Sequence, residues 1–345
     1  MRAQCAELPA APSDLGARWV TAMRSGDFAA AWAISDEVLR RRLESNQGCE
    51  DWPRHLQYVW RGASLRGKRV LVRCYHGLGD TIQFLRFAVP LRNLAQRTVF
   101  WLQPELLELA SAAAGVDHAM PLRQSTPDVA YDVDVEIMEL PHALRVTPEM
   151  LADNVPYLFT AKAFEMPATP ASRTRVGLVW RAGQWNPCRS VPVERLVRLR
   201  EIAGLDLLSL QLDAAPRELA ALGATDWRSR DIRELAARIM SLDLIVSVDT
   251  MTAHLAGALG KPVWTLLPAD CDWRWMESRS DSPWYPTMRL FRQSQAGEWR
   301  DVLDNVVAEL DHRRRSRPDR APETGGVFLQ SATGQEPRDE IIVCT

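Results

Sequence analysis

"KRVLVRCYHGLGDTIQFLRFAVPLRNLA", Lys68 to Ala95, changes its apolar period halfway along. Val70, Leu71 and Val72 form a short unbroken apolar run, the pattern of a strand covered on both faces. Beyond Gly77-Leu78-Gly79-Asp80-Thr81, the apolar residues recur as Ile82, Leu85, Ala88 and Leu91, which is a helical stripe. Strand, glycine turn and helix form the unit of an α/β layer. The unit repeats downstream: "RTVFWLQ" (97–103) reads as a strand, "PELLELASAAAG" as a helix and "YDVDVEIMELPHAL" as a further strand-like segment. Strands alternating with helices predict a mainly parallel sheet.

"FEMPATPASRTR" (164–175) is rich in Pro, Ser and Thr and reads as a linker. After it the alternation restarts with "RVGLVW", a helix through "VERLVRLREI", "LDLLSLQ", "DIRELAARIMSL", "DLIVSVD", "TMTAHLAGALG" and "PVWTLLP", and closes with a helix near "EWRDVLDNVVAELDHRRR". Upstream, "DLGARWVTAMRSGDFAAAWAISDEVLRRRL" (14–43) reads as two helices joined by Ser25-Gly26-Asp27, with Trp19, Met23, Phe28, Ala31, Trp32 and Leu39 as facing apolar stripes. This pair resembles one tetratricopeptide unit. Arrays of such units need about three repeats to bury a common face, so a cap packed on the next domain is the expectation. The predicted organisation is a helical cap over 1–66, an α/β domain over 67–163, a second over 164–315 and an aperiodic tail over 316–345.

The 345 residues are 46% hydrophobic and 25% charged, with a formal net charge of −2. That is the balance of a globular protein, and it supplies no general attraction for nucleic acid. Cys5, Cys49, Cys74, Cys188, Cys271 and Cys344 are scattered and form no C-x-x-C, which argues against a disulfide framework or a zinc site and fits a reducing cytoplasm. "MRAQCAELPAAPSDLG" holds no apolar stretch of signal-peptide length, and no segment approaches the roughly 20 apolar residues of a membrane span. The expected location is cytoplasmic, with a peripheral association at the inner membrane left open.

Two α/β domains place a cleft between the carboxyl ends of two sheets, where ligands of such sheets bind. Four turns could carry chemistry there. In Gly77-Leu78-Gly79-Asp80-Thr81, a dinucleotide fingerprint would need glycine where Ile82 stands, and Asp80 would repel a pyrophosphate. No Walker pattern is present. Asp80 is then either a helix N-cap or a catalytic base at the rim of the cleft.

In "SVDTMTAHLAGALGKP" (247–262), Asp249-Thr250 ends an apolar strand and opens a helix, so the amides of the first turn, at Met251 and Thr252, form an anion site. Thr250 and Thr252 add hydroxyls, and His254 lies one turn behind Thr250. In "VWRAGQWNPCRSVPVERL" (179–196), a polar loop carries Arg181, Asn186, Arg189 and Ser190, with Arg189 able to neutralise a diphosphate across the cleft. In "PADCDWRWMESRSDSPWYPTMRLFRQ" (268–293), Trp273, Arg274, Trp275, Trp284, Tyr285 and Arg289 suit either stacking on a base or sugar or a buried inter-domain latch. Two D-x-D triplets, Asp132-Val133-Asp134 and Asp270-Cys271-Asp272, could hold a divalent cation. The alternation of "DVDVEI" instead favours one polar strand face for the first.

Taken together, "HGLGDTIQFLRF", "RVGLVW", "SVDTMTAHLAGALGKPVWTLLP", "DWRWM", "DSPWYP" and "MRLFRQ" resemble the heptosyltransferase-like glycosyltransferases of family 9, and above all the bacterial subset associated with tetratricopeptide repeats. The resemblance runs from about Val70 to Glu309. It implies a GT-B architecture, a pair of Rossmann-like domains behind a short helical segment. It implies inverting, metal-independent transfer of a sugar from a nucleoside-diphosphate sugar, with no further cofactor, to a glycan, lipid-linked or protein acceptor. It implies that Asp80 is the base in an acceptor-side turn with Gly77, Gly79 and Thr81. It further implies that Asp249, Thr250, Met251, Thr252 and His254, with Arg189 and Ser190, hold the donor diphosphate. The chain departs from that subset at His76, where Gln is usual, and in a short basic loop that retains Arg189 beside Ser190. A sugar-nucleotide-binding protein without turnover, or a repeat-type interaction protein, is the alternative that these departures leave open.

Overall fold

The computed structural model describes residues 13–45, 48–125, 127–151, 155–160, 173–183 and 186–315. The expected linker lies outside the described residues over 164–172, as do the tail 316–345, the first twelve residues and positions 184–185 of the polar loop.

The unbroken apolar runs form the strands at the centre of two parallel sheets. In the first sheet, β1 (Arg69–Arg73) lies between β2 (Arg97–Leu102) and β4 (Val133–Glu136), and β3 (His118–Pro121) forms the edge, in the order β3-β2-β1-β4. Val70, Leu71 and Val72 are fully buried, as a strand covered on both faces requires. In the second, β5 (Thr174–Val179), β6 (Leu205–Ser209), β7 (Thr225–Asp226), β8 (Leu244–Val248), β9 (Val263–Leu267) and β10 (Met288–Arg292) are ordered β10-β9-β8-β5-β6-β7. The α/β reading with parallel sheets is borne out. Three strands escape it: β3 and β7 are short and flank their sheets, and β10 lies in a stretch dominated by aromatics. None carries the unbroken apolar run that marks a strand covered on both faces.

The strand orders decide where a site can form. The chain leaves β1 for β2 on one side and returns to β4 on the other. It leaves β5 for β6 on one side and returns to β8 on the other. Each reversal opens a crevice at the strands' carboxyl ends. Register then sets Arg73 beside Glu136 and Val179 beside Ser247. The glycine turn therefore emerges next to Glu136, and the polar loop emerges next to Asp249.

Helices α1 (Ser13–Ser25) and α2 (Phe28–Ser45) form a hairpin whose turn uses Gly26 at φ 79°, a conformation glycine adopts without strain. Asp27 Oδ1 accepts the Ala30 amide at 3.0 Å at the start of α2. The hairpin's apolar stripe is spent on the body of the molecule. Met23, Phe28, Ala31 and Trp32 are buried, Trp32 Nε1 donates to Val146 O at 2.7 Å, and Trp19 meets Trp273 edge-on at 5.2 Å. The hairpin thus touches both α/β halves, as a cap would.

The helix after β1 is broken into α3 (Leu78–Phe84) and α4 (Ala88–Leu94), linked by a tighter turn over Leu85–Phe87. After β2 only Leu107–Ser111 (α5) is α-helical, and Leu140–Ala143 (α6) follows β4. The helix expected from "VERLVRLREI" is a single turn, α7 (Val193–Leu196), continued as a 3₁₀ segment. Helices α8 (Pro216–Leu222), α9 (Ile232–Met240), α10 (Met251–Ala258) and α11 (Arg300–Arg315) complete the second half. One apolar cluster joins the hairpin residues Met23 and Phe28 to Phe84 and Phe87 and on to Leu255, Trp275, Trp284 and Tyr285, so the core runs through both halves. Among the described residues, no helix is long and apolar enough to cross a membrane.

Candidate functional site

The amino ends of α3 and α10 meet where the two crevices face each other. Gly77 is the N-cap of α3, and Asp80 is its third residue rather than the cap. Asp80 Oδ2 accepts the Gly77 amide at 3.1 Å, while Oδ1 pairs with Arg274 Nη2 at 2.9 Å. Asp80 is thus not the N-cap itself: one of its oxygens serves the helix end and the other faces a buried cation. Thr81 points inward, its hydroxyl donating to Gln103 Oε1 at 3.0 Å, so it shapes the turn from behind.

Beside the turn, His76 Nδ1 lies 3.0 Å from Glu136 Oε1, and the same oxygen accepts the Tyr75 amide at 3.1 Å. Burial pulls the His76 imidazole down, but the hydrogen bond and charge of Glu136, with Asp80 adding to them, raise it above its ordinary value.

Opposite the turn, Thr250 is the N-cap of α10, with an extended backbone and no capping bond from its own side chain. Its hydroxyl shares a hydrogen bond with Ser247 Oγ at 3.1 Å. No preceding turn of helix satisfies the amides of Met251 and Thr252, so they keep the character of a helix start. Arg189 reaches this end from the polar loop: its Nη1 donates to Asp249 O at 3.0 Å and lies 3.7 Å from Asp249 Oδ2. It therefore sits on the helix-tip side of the cleft, not across from it. Ser190 is spent inside the loop, its hydroxyl accepting the Ala182 amide at 3.0 Å.

His254, 2% exposed, lies beneath the tip. Its Nδ1 shares a 2.9 Å hydrogen bond with the Tyr285 hydroxyl, its ring stacks on Trp275 at 5.3 Å, and Nε2 is 3.6 Å from Asp249 Oδ1. Burial alone pushes the Asp249 carboxyl up, yet the hydrogen bond and charge of His254, with the charge of Arg274, hold it at about 2. Asp249 and His254 act on the tip as a frame behind it.

Gly79 allows the two helix ends to touch: a Cβ there would stand 3.5 Å from Met251 Cα and 3.0 Å from His254 Cδ2. The halves are latched by the aromatic stretch. Trp275, Trp284 and Tyr285 are fully buried, and Trp284 Nε1 donates to Arg274 O at 2.7 Å. From the other half, buried Arg86 donates to Trp284 O at 2.5 Å and lies 4.7 Å from the Tyr285 ring centre. Of the two roles open to that stretch, these three aromatics fill the latch. Arg289 lies apart from it, paired with Glu309 at 2.8 Å.

Each D-x-D carboxylate is engaged by an arginine. Asp132 pairs with Arg69 and Asp134 with Arg73, both at 2.7 Å, Asp270 with Arg24 at 2.7 Å and Asp272 with Arg274 at 3.3 Å. Sequence reasoning placed Arg274 in an aromatic crowd without a role and passed over Glu136 altogether. Neither lies within a recognisable local pattern that would point to the glycine turn.

Residues 229–276 match the model of glycosyltransferase family 9 (heptosyltransferase). The matched segment includes Asp249, Thr250, His254 and Arg274, and leaves out Asp80 and Arg189. The chain is 25% identical over 292 residues to Protein FlbA of Caulobacter vibrioides, covering 73% of this chain and 48% of that one, so it spans about half the length of this curated relative. Among solved structures, the dodecameric iron-containing glycosyltransferase TibC of enterotoxigenic E. coli superposes with a TM-score of 0.52 at 14% identity, over 74% of this chain and 78% of that chain. E. coli heptosyltransferase WaaC with ADP-2-deoxy-2-fluoro heptose aligns at a TM-score of 0.46 and 14% identity, over 70% and 99% of the two chains. With the helix tip inside the matched segment and two parallel sheets in the fold of TibC, the resemblance of this chain to glycosyltransferase family 9 is borne out.

Proposed function

We propose that this protein is an inverting glycosyltransferase that moves a sugar from a nucleoside-diphosphate sugar to a hydroxyl of a glycan, lipid-linked or protein acceptor. The observation that carries this reading is the opposition of Asp80 to the first turn of α10, with Gly79 against Met251. The chemistry needs two things at one sugar carbon. Negative charge leaving with the diphosphate must be stabilised, and helix amides with arginine do this. The attacking hydroxyl must lose its proton, and a positioned carboxylate taking it contributes about 10²–10⁴-fold in rate. Asp80 is assigned that proton. Arg189, Thr250, Met251 and Thr252 are assigned the diphosphate, with Asp249 and His254 holding the tip in place.

Metal independence is part of the proposal. Its support is the donor set: the D-x-D carboxylates that could ligate a cation are committed to arginines. TibC is described as iron-containing, so the assay is run with chelator, with magnesium and with iron.

The test is thermal stabilisation by ADP, GDP, UDP and CDP. A ligand of the folded state at a hundredfold excess over Kd adds about 2.7 kcal/mol. One diphosphate should stabilise the protein in the presence of chelator, and Thr250→Val and Arg189→Ala should weaken the effect. No response to any of them would overturn the donor site. A second reading, nucleotide-sugar binding without turnover, is favoured by the Arg274 cation on Asp80. It requires that wild type and Asp80→Asn bind the donor and that neither releases nucleoside diphosphate.

A further inference from the structure

Arg274 is buried, 8% exposed, yet it arises from an irregular segment of the second half and ends on a carboxylate of the first. Its stem is fixed. Its amide donates to Asp272 Oδ1 at 3.0 Å, its carbonyl accepts Trp284 Nε1 at 2.7 Å, and Asp272 lies 3.3 Å from its Nε. At its far end, Nη2 meets Asp80 Oδ1 at 2.9 Å. The next residue, Trp275, stacks on His254 at 5.3 Å, so the arginine stands beside both the carboxylate of the acceptor turn and the frame of the donor helix. Burial works against its charge, and the carboxylates of Asp272, Asp80 and Asp249 more than restore it.

We propose that Arg274 is a second cation for the donor diphosphate, and that it neutralises Asp80 until a diphosphate draws it away. This rests on the glycosyltransferase reading above. The polar loop brings Arg189 to the helix tip, while the departing diphosphate carries more than one negative charge. A guanidinium prefers the several oxygens of a diphosphate to one carboxylate oxygen, because its fork can bond them in parallel. Its transfer leaves Asp80 without its counterion beside the acceptor hydroxyl. The hydroxyl oxygen then forms its bond to the anomeric carbon. The bond from that carbon to the diphosphate oxygen breaks, the electron pair leaves with the diphosphate, and the hydroxyl proton passes to Asp80. Donor binding thereby frees the base, and an acceptor arriving alone meets a neutralised carboxylate.

The experiment is calorimetric binding of inorganic pyrophosphate, and of the nucleoside diphosphate that most stabilises wild type, to wild type, Arg274→Gln, Asp80→Asn and the double variant. Arg274→Gln should weaken binding about ten- to hundredfold, the cost of a lost charged hydrogen bond. Asp80→Asn should tighten it several-fold, because the arginine no longer has to be taken from a carboxylate. That gain should vanish when Arg274 is already Gln. Unchanged affinity in Arg274→Gln, or an equal gain from Asp80→Asn in both backgrounds, would overturn the proposal, the latter by showing simple charge repulsion. Where Arg274→Gln does not fold, Arg274→Lys keeps the charge and loses the fork. It should still bind several-fold more weakly, and wild-type affinity in that variant counts against the proposal. Wild type that binds neither probe removes the donor site itself, an outcome distinct from bound wild type with indifferent variants.

Discussion

Gly79 and His254 approach so closely that a methyl group on the glycine would stand 3.0 Å from His254 Cδ2. The histidine has nowhere to go, since Tyr285 holds its Nδ1 at 2.9 Å and Trp275 stacks on its ring. Gly79→Ala must then push the amino ends of α3 and α10 apart. Overpacking of this kind costs about 1–3 kcal/mol. Chemical denaturation should register that loss, and the proposed transfer activity should fall further than stability does, because both sides of the proposed reacting centre move. Full activity in Gly79→Ala would mean that the helix ends need not touch during turnover.

Tyr285→Phe keeps the ring against Gly257 and removes the oxygen that meets His254. A buried polar group left without its partner costs about 1–3 kcal/mol. Urea unfolding should shift by that amount with little change in slope. A variant as stable as wild type would show that this hydrogen bond makes no net contribution.

His76 gives a pH-dependent test. Its imidazole is raised above its ordinary value by Glu136 and Asp80, against the opposing effects of burial and Arg274. A raised folded-state value stabilises the protein fully below the unfolded value, about 6.5, and the benefit is lost as pH climbs through the folded one. Wild type should therefore exceed His76→Gln in melting temperature by more at about pH 6 than at about pH 9. A gap that is constant across that range would remove the Glu136–His76 pair as its source.

The helical hairpin offers a contrast between burial and charge. Phe28 is buried and lies 6.2 Å from Trp284, centre to centre, so Phe28→Ala should cost about 3–5 kcal/mol. Asp36 pairs with Arg145 at 2.6 Å and His142 at 2.9 Å but is half-exposed, and Asp36→Ala should cost less than about 1 kcal/mol. Equal effects would mean that the hairpin is held by its ion pairs rather than by its apolar face.

The glycine turn was legible because strand, turn and helix each announce themselves within a few residues. The start of α10 was legible for the same reason: an apolar strand ends at Val248 and a helix opens at Met251. Arg189 was legible as a cation in the right loop, but its side of the cleft was not, since that depends on β5 lying next to β8. His254 reads from its spacing as a neighbour of the phosphate site, while its burial against Tyr285 and Asp249 is not legible there. A helical period fixes the face a residue occupies, while what covers that face comes from another part of the chain.

By itself, the sequence determined the parallel α/β class, the helical hairpin, the position of the two turns to which the proposed chemistry is assigned, and the resemblance to family 9. All of these are written in short-range periodicity and contiguous motifs, which follow from local backbone geometry. Only the tertiary structure decided that Asp80 is neutralised by Arg274, that Glu136 backs His76, and that Trp275, Trp284 and Tyr285 latch the halves together. Those pairs are far apart in the chain. They meet because one apolar core takes in the hairpin and strands of both sheets, which brings segments distant in the chain into contact.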